Sequence, residues 1–145
     1  MRFFLILFLA LCPLLAHAAD LAVFDERTRV LPLGEHMAVF EDVRGDKTID
    51  DVTSSALQGS FRPHDKAVLN AGYSRSAFWL RIDLQYRPRG MASGNPQSWL
   101  LELAYPPLDH LELYEEGGDG RFHLSHRTGD ALPFSSREIR QNNYL

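Results

Sequence analysis

The chain has 145 residues, 45% hydrophobic and 23% charged, which excludes intrinsic disorder. It is long enough for one domain that buries roughly two-thirds of its unfolded surface. Fifteen Lys and Arg against nineteen Asp and Glu give a net charge of −4, against the concentrated basic face of a nucleic-acid binder, and a single cysteine excludes an internal disulfide framework or a Cys-based zinc site.

Residues 1–18 have the three parts of a secretory signal. Arg2 supplies the positive start, Phe3 to Leu11 form an unbroken apolar run, and Ala16-His17-Ala18 supplies a small-x-small cleavage pattern. The apolar run is interrupted at Pro13 and His17, short of the roughly 20 residues that span a bilayer. The mature chain is therefore expected to start at Ala19, without Cys12, in an exported and oxidising compartment. Residues 19–36 read as a lead-in.

From Met37 onward the pattern is β. Met37–Asp42 reads as a short strand. Thr48-Ile49-Asp50-Asp51-Val52 reads as a helix start, with Thr48 as N-cap and acids in the first turn. Phe78, Leu80, Ile82, Leu84 and Tyr86 alternate with Trp79, Arg81, Asp83 and Gln85, which predicts one long strand with an apolar face. Arg87–Gln97 is a polar loop. Trp99, Leu101, Leu103 and Tyr105 alternate with Leu100, Glu102 and Ala104 and predict a second strand, whose apolar face should pack on that of the first as the core. Leu111 and Leu113 mark a third strand. A Gly/Asp-rich connection from Glu115 to Gly120 leads into a fourth, from Arg121 to Ser125. Short strands separated by turns predict an all-β, antiparallel sandwich or jelly roll. Arg137–Leu145 reads as a strand just beginning. The strands read here fall short of the roughly seven or eight in such a sandwich, so the domain is expected to continue past Leu145.

Signals of chemistry are sparse. Gly72-Tyr73-Ser74-Arg75-Ser76 has the first half of a nucleophile elbow, but Ser76 replaces the second glycine and a strand follows where a helix is needed. A turn entering the strand is the expected role. His123 and His126, at i and i+3 on a strand, should point to opposite faces and bind no metal together. Glu115, Glu116 and Asp119 lack the alternating ligands of a calcium loop. Glu102 and Glu112 would suit a glycosidase pair only at a separation the sequence does not fix. No catalytic residue, cofactor or metal site is therefore expected. Trp79 and Arg81 stand out, because they share one side of their strand. An aromatic plate beside a guanidinium suits a sugar ring or an anionic small molecule; the alternative is that Trp79 fills the interior of the sandwich and Arg81 neutralises a carboxylate. The expected ligand face joins Trp79 and Arg81 with Glu102 and Arg137 as neighbours.

Several segments together carry a family resemblance. They are Gly72 and Ala77-Phe78-Trp79-Leu80-Arg81, then Trp99-Leu100-Leu101-Glu102-Leu103, then Leu108-Asp109-His110-Leu111-Glu112-Leu113-Tyr114. Gly129-Asp130-Ala131-Leu132-Pro133-Phe134, followed by Arg137 and Asn142, completes the set. In this order they resemble the type 2 extracellular sensor domain of bacterial seven-transmembrane receptors with diverse intracellular signalling modules. The likeness runs from Val39-Phe40-Glu41-Asp42 to Leu145. It implies a jelly-roll sandwich similar to carbohydrate-binding modules over 37–145, incomplete at its C-terminus. It also implies a periplasmic position ahead of a seven-helix membrane unit, and then a histidine kinase or a cyclic-di-GMP module. The expected partners are a small-molecule or carbohydrate ligand and a second receptor or second copy, with no nucleic acid. The membrane is expected only through the part of the receptor that follows. A secreted glycan-active protein and a receptor-pairing module, using an exposed strand edge, are the competing readings. Seven apolar segments encoded downstream of Leu145 would favour the receptor.

Overall fold

A computed structural model describes residues 20–90, 98–105 and 107–136. Its strands are β1 (Ala22–Phe24), β2 (Met37–Asp42), β3 (Arg62–Pro63), β4 (Ala77–Ile82), β5 (Leu84–Tyr86), β6 (Leu111–Glu116) and β7 (Phe122–Thr128). Two short helices, α1 (Ile49–Thr53) and α2 (Ser55–Gln58), separate β2 from β3. The chain is all-β, and its pairs are antiparallel except that β1 runs parallel to β5. The expected signal sequence and the run from Arg137 to Leu145 lie outside the described residues.

The central unit is the sheet β3-β2-β4. In its register Ala38 faces Arg81 and Phe40 faces Trp79 on one side, while Met37, Val39 and Glu41 face Ile82, Leu80 and Phe78 on the other. Met37 and Ala38 are buried, so both sides of β2 are covered. At the end of β2 the buried Asp42 carboxylate accepts the backbone N–H groups of Gly45 (3.0 Å) and Lys47 (2.8 Å). Gly45 adopts φ 64°, the left-handed turn that glycine reaches without strain. That turn delivers Thr48 to the start of α1. There the Thr48 hydroxyl accepts the Asp51 N–H while the Asp51 carboxylate accepts the Thr48 N–H, closing a capping box. The cap seats Val52, the buried residue of α1.

Three expectations need correction. The stretch 78–86 is two strands rather than one: β4 pairs with β2, and beyond Asp83, β5 pairs with β1. Its apolar set is not one continuous buried side: Phe78 and Ile82 are half-buried, as Trp79 and Arg81 are, whereas Leu80 (39%), Leu84 and Tyr86 are exposed. A strand needs a ladder partner on each buried edge, and a change of partner at Asp83 ends the common face.

The second correction concerns Trp99–Tyr105, which forms no strand. The Tyr105 N–H donates to the Leu103 carbonyl (2.9 Å), an i to i+2 turn that takes the chain out of the extended path. Leu101 is 50% exposed, so the expected packing of two facing strands does not occur. The segment is instead held at Trp99, whose ring stands edge-on to Phe24 at 4.8 Å.

The third concerns β7. Leu113 pairs with His126 but Tyr114 pairs with Leu124, which leaves Ser125 as the extra residue of a β-bulge. The bulge changes the parity of the strand, so His123 and His126 share the face of Glu115 and Leu113 instead of pointing apart. The connection read as a hairpin is one: the Gly117 N–H donates to Arg121 O at 2.7 Å.

Candidate ligand-binding face

The period of two along β4 sets Trp79 and Arg81 on one side, and the pairing with β2 places Phe40 and Ala38 beside them. Two further rings flank the pair. Tyr114 of β6 approaches the Trp79 ring at 6.0 Å between centroids, tilted by 36°. Phe61 lies under the Arg81 guanidinium at 5.5 Å and also meets Phe40 at 5.7 Å. The face is thus an indole and a guanidinium framed by a phenol and a phenyl ring.

Its hydrogen bonding is incomplete. Among the described residues three buried side-chain nitrogens have no hydrogen-bond partner, His36 Nδ1, Trp79 Nε1 and Arg81 Nε, and two of the three belong to this pair. Arg81 Nε has Asp83 Oδ2 at 3.8 Å, near enough for charge attraction and too far for a hydrogen bond. A buried donor left unpaired costs about 1–3 kcal/mol, so the face holds an unmet demand for oxygen acceptors.

The flanking phenol is fixed. The Tyr114 hydroxyl donates to Glu112 Oε2, and Glu112 Oε1 in turn takes Arg127 Nε at 2.8 Å, its cross-strand neighbour. The hydrogen bond to Glu112, then burial, then the Glu112 charge raise the Tyr114 pKa above 10.0, against the opposing pull of Arg127. Tyr114 therefore stays a neutral donor tied to Glu112, presenting its ring rather than its hydroxyl to Trp79.

Of the residues expected at the site, the structure brings together Trp79 and Arg81. Glu102 lies on the largely exposed segment 98–105, and Arg137 is outside the described residues. Phe61 and Tyr114 were missed by sequence reasoning. Tyr114 is visible only as one position of an alternating strand, and Phe61 sits just ahead of the two-residue β3, where no periodicity exists to detect.

The profile of the family 7TMR-DISM extracellular 2 matches residues 34–145, more than three-quarters of the chain. The chain belongs to this family. No curated protein matches it. Family membership makes the domain an extracellular sensor domain of a membrane receptor, in keeping with the resemblance carried by the β4 and β6 segments. A sensor family also points away from enzymatic work. The strand β1 precedes the matched residues yet pairs with β5 inside them, anchored by Asp25, whose carboxylate takes the Arg27 and Thr28 N–H groups and the Arg89 guanidinium.

Proposed function

We propose that this domain is the periplasmic input of its receptor and that the Trp79 and Arg81 face takes a carbohydrate-like or small polar ligand. Occupancy then controls a histidine kinase or a cyclic-di-GMP module on the far side of the membrane. The observation that supports this reading is the pair of buried, unpartnered donors, Trp79 Nε1 and Arg81 Nε, side by side on β4 between two aromatic rings. A sugar offers what the face lacks: hydroxyl or carboxylate oxygens to accept both N–H groups, and C–H faces to lie on the rings. Glu102 and Arg137 are proposed to complete the contacts.

Calorimetric titration of the full chain with periplasmic glycans tests this. Trp79→Phe keeps a smaller ring against Tyr114 and removes the N–H along with the five-membered ring that carries it, and Arg81→Lys removes Nε while keeping the charge. Each should weaken binding about tenfold to a hundredfold, the worth of one hydrogen bond of roughly 1.5–3 kcal/mol to a charged partner. Wild-type affinity in both variants would end the proposal.

A further inference from the structure

The opposite face of the same sheet carries a second, differently made site. Val39, Glu41 and Phe78 project from β2 and β4 away from Trp79 and Arg81, and with Leu69, Arg62 and His64 they line an open hollow of about 470 Å³ that Phe40, from the first face, also borders. That volume falls within the roughly 300–1,000 Å³ of small-molecule sites. Its floor is apolar, and its two charged groups are of opposite sign.

Those charges do not neutralise each other. Neither Glu41 nor Arg62 joins an ion pair among the described residues. Each is nevertheless held in place by neighbours. The Ser76 hydroxyl donates to Glu41 Oε1 at 2.7 Å and accepts from the Ser74 hydroxyl at 3.0 Å, which leaves Glu41 Oε2 unused. Arg62 Nη1 donates to the Gly59 and Phe61 carbonyls at 2.6 and 3.3 Å, so the remaining guanidinium N–H groups stay available from a fixed fork. His64 is pinned as well. Its Nδ1 lies 2.8 Å from the Gly34 carbonyl, which can only accept, so Nδ1 carries the proton. Gly34 permits this by its close approach to the chain: a Cβ there would stand 1.9 Å from the Ala67 oxygen. Preorganised, unpaired charges of both signs above an apolar floor match a ligand that brings one of each.

We infer that this hollow binds a small zwitterion of the α-amino-acid type with an apolar side chain. Its carboxylate lies on Arg62, its ammonium on Glu41, and its side chain on Val39, Leu69 and Phe78. The Ser74-Ser76 pair, which lacks the surroundings of a nucleophile, acts here as the support that orients Glu41.

The test titrates the full chain with L-phenylalanine and L-leucine by calorimetry and by chemical-shift mapping. Saturable binding is expected, with shifts centred on Glu41, Arg62 and Phe78. N-acetyl-L-phenylalanine, which lacks the ammonium, and L-phenylalanine methyl ester, which lacks the carboxylate, should each bind at least about tenfold more weakly, because one charge of the site is then left without its partner. Glu41→Gln, which can still accept from Ser76, should lose about the same factor. Trp79→Phe, on the other face, should change nothing. Absence of saturable binding by either amino acid would overturn the inference. So would equal affinity for the blocked derivatives, a comparison that needs no variant to fold. Loss of amino-acid binding in Trp79→Phe would likewise overturn it, by placing the ligand on the first face.

Discussion

Two stretches that both read as strands in the sequence have opposite outcomes in this molecule. Met37–Asp42 becomes a central strand with neighbours on both sides, whereas Trp99–Tyr105, richer in large apolar residues, forms no ladder among the described residues and leaves Leu101 half exposed. The difference lies in what surrounds them. β2 is fixed at its end by the Asp42 turn and the capped helix that follows, and is paired on one edge by β4 and on the other by β3. Residues 98–105 show, among the described residues, an aromatic contact of Trp99 on Phe24 and a tight turn at Tyr105. Alternation states which side of a strand wants burial. A partner edge decides whether the strand exists.

The largest effect that would sharpen this comparison is at Met37. Its side chain is 6% exposed, opposite Ile82, and its carbonyl accepts the His64 N–H at 2.9 Å. Met37→Ala should cost about 2–5 kcal/mol in urea unfolding, as expected for truncating a buried residue. A cost under about 1 kcal/mol would mean that the β2 region is no better packed than 98–105 and would break the contrast.

A smaller effect is expected at the cap. Thr48→Ala removes the hydroxyl that accepts the Asp51 N–H, and should cost about 0.5–2 kcal/mol. Thr48→Asn, another good N-cap, should recover most of it.

Acid titration separates the cap from general destabilisation. The Thr48 backbone N–H, then its hydroxyl, hold the Asp51 pKa below 3.8, against a lesser loss of hydration and with Lys47 helping. A carboxylate whose folded pKa is depressed contributes stability that is complete above the unfolded value and is lost as the pH falls through the folded one. Asp51→Asn should therefore be less stable than the parent at pH 7, and the gap should close as the pH drops below 3.8 and through the folded pKa. Asp25, Asp46 and Asp119 are lowered too, so the difference between parent and variant is the quantity to follow. A gap that stayed constant from pH 7 into the acid range would show that Asp51 acts through packing alone.

These contrasts also explain which features were legible in the sequence. The Thr48 cap and the Glu115–Gly120 hairpin are written in residues a few positions apart, so local chemistry suffices to find them. β2 was legible as a short run, Met37–Asp42, that opens on four apolar residues. The shared side of Trp79 and Arg81 follows from the strand period alone. What frames that pair does not: Phe61 and Tyr114 arrive through contacts between segments distant in the chain. The Ser125 bulge was equally invisible, because nothing in Phe122–Thr128 says which residue the facing strand will leave unpaired. The break at Asp83 depends on β1, a three-residue strand from the lead-in.

The smallest effect is the most informative about the misread segment. Leu101 belongs to the most apolar of the alternating runs, and from the sequence its truncation should cost as much as any core residue, about 2–5 kcal/mol. In the structure it is 50% exposed, on a stretch without a ladder. Leu101→Ala therefore removes a side chain that keeps half of its contact with water on folding, and the expected cost is about 1 kcal/mol or less. Trp99→Ala on the same segment is the matched control, since its ring loses an edge-on contact with Phe24 worth about 0.5–1.5 kcal/mol beyond its buried area. Unfolding midpoints for the two variants give the ranking directly. If Leu101→Ala cost more than Trp99→Ala, the segment would be a packed strand after all, and the requirement for a partner edge would lose its clearest example in this protein.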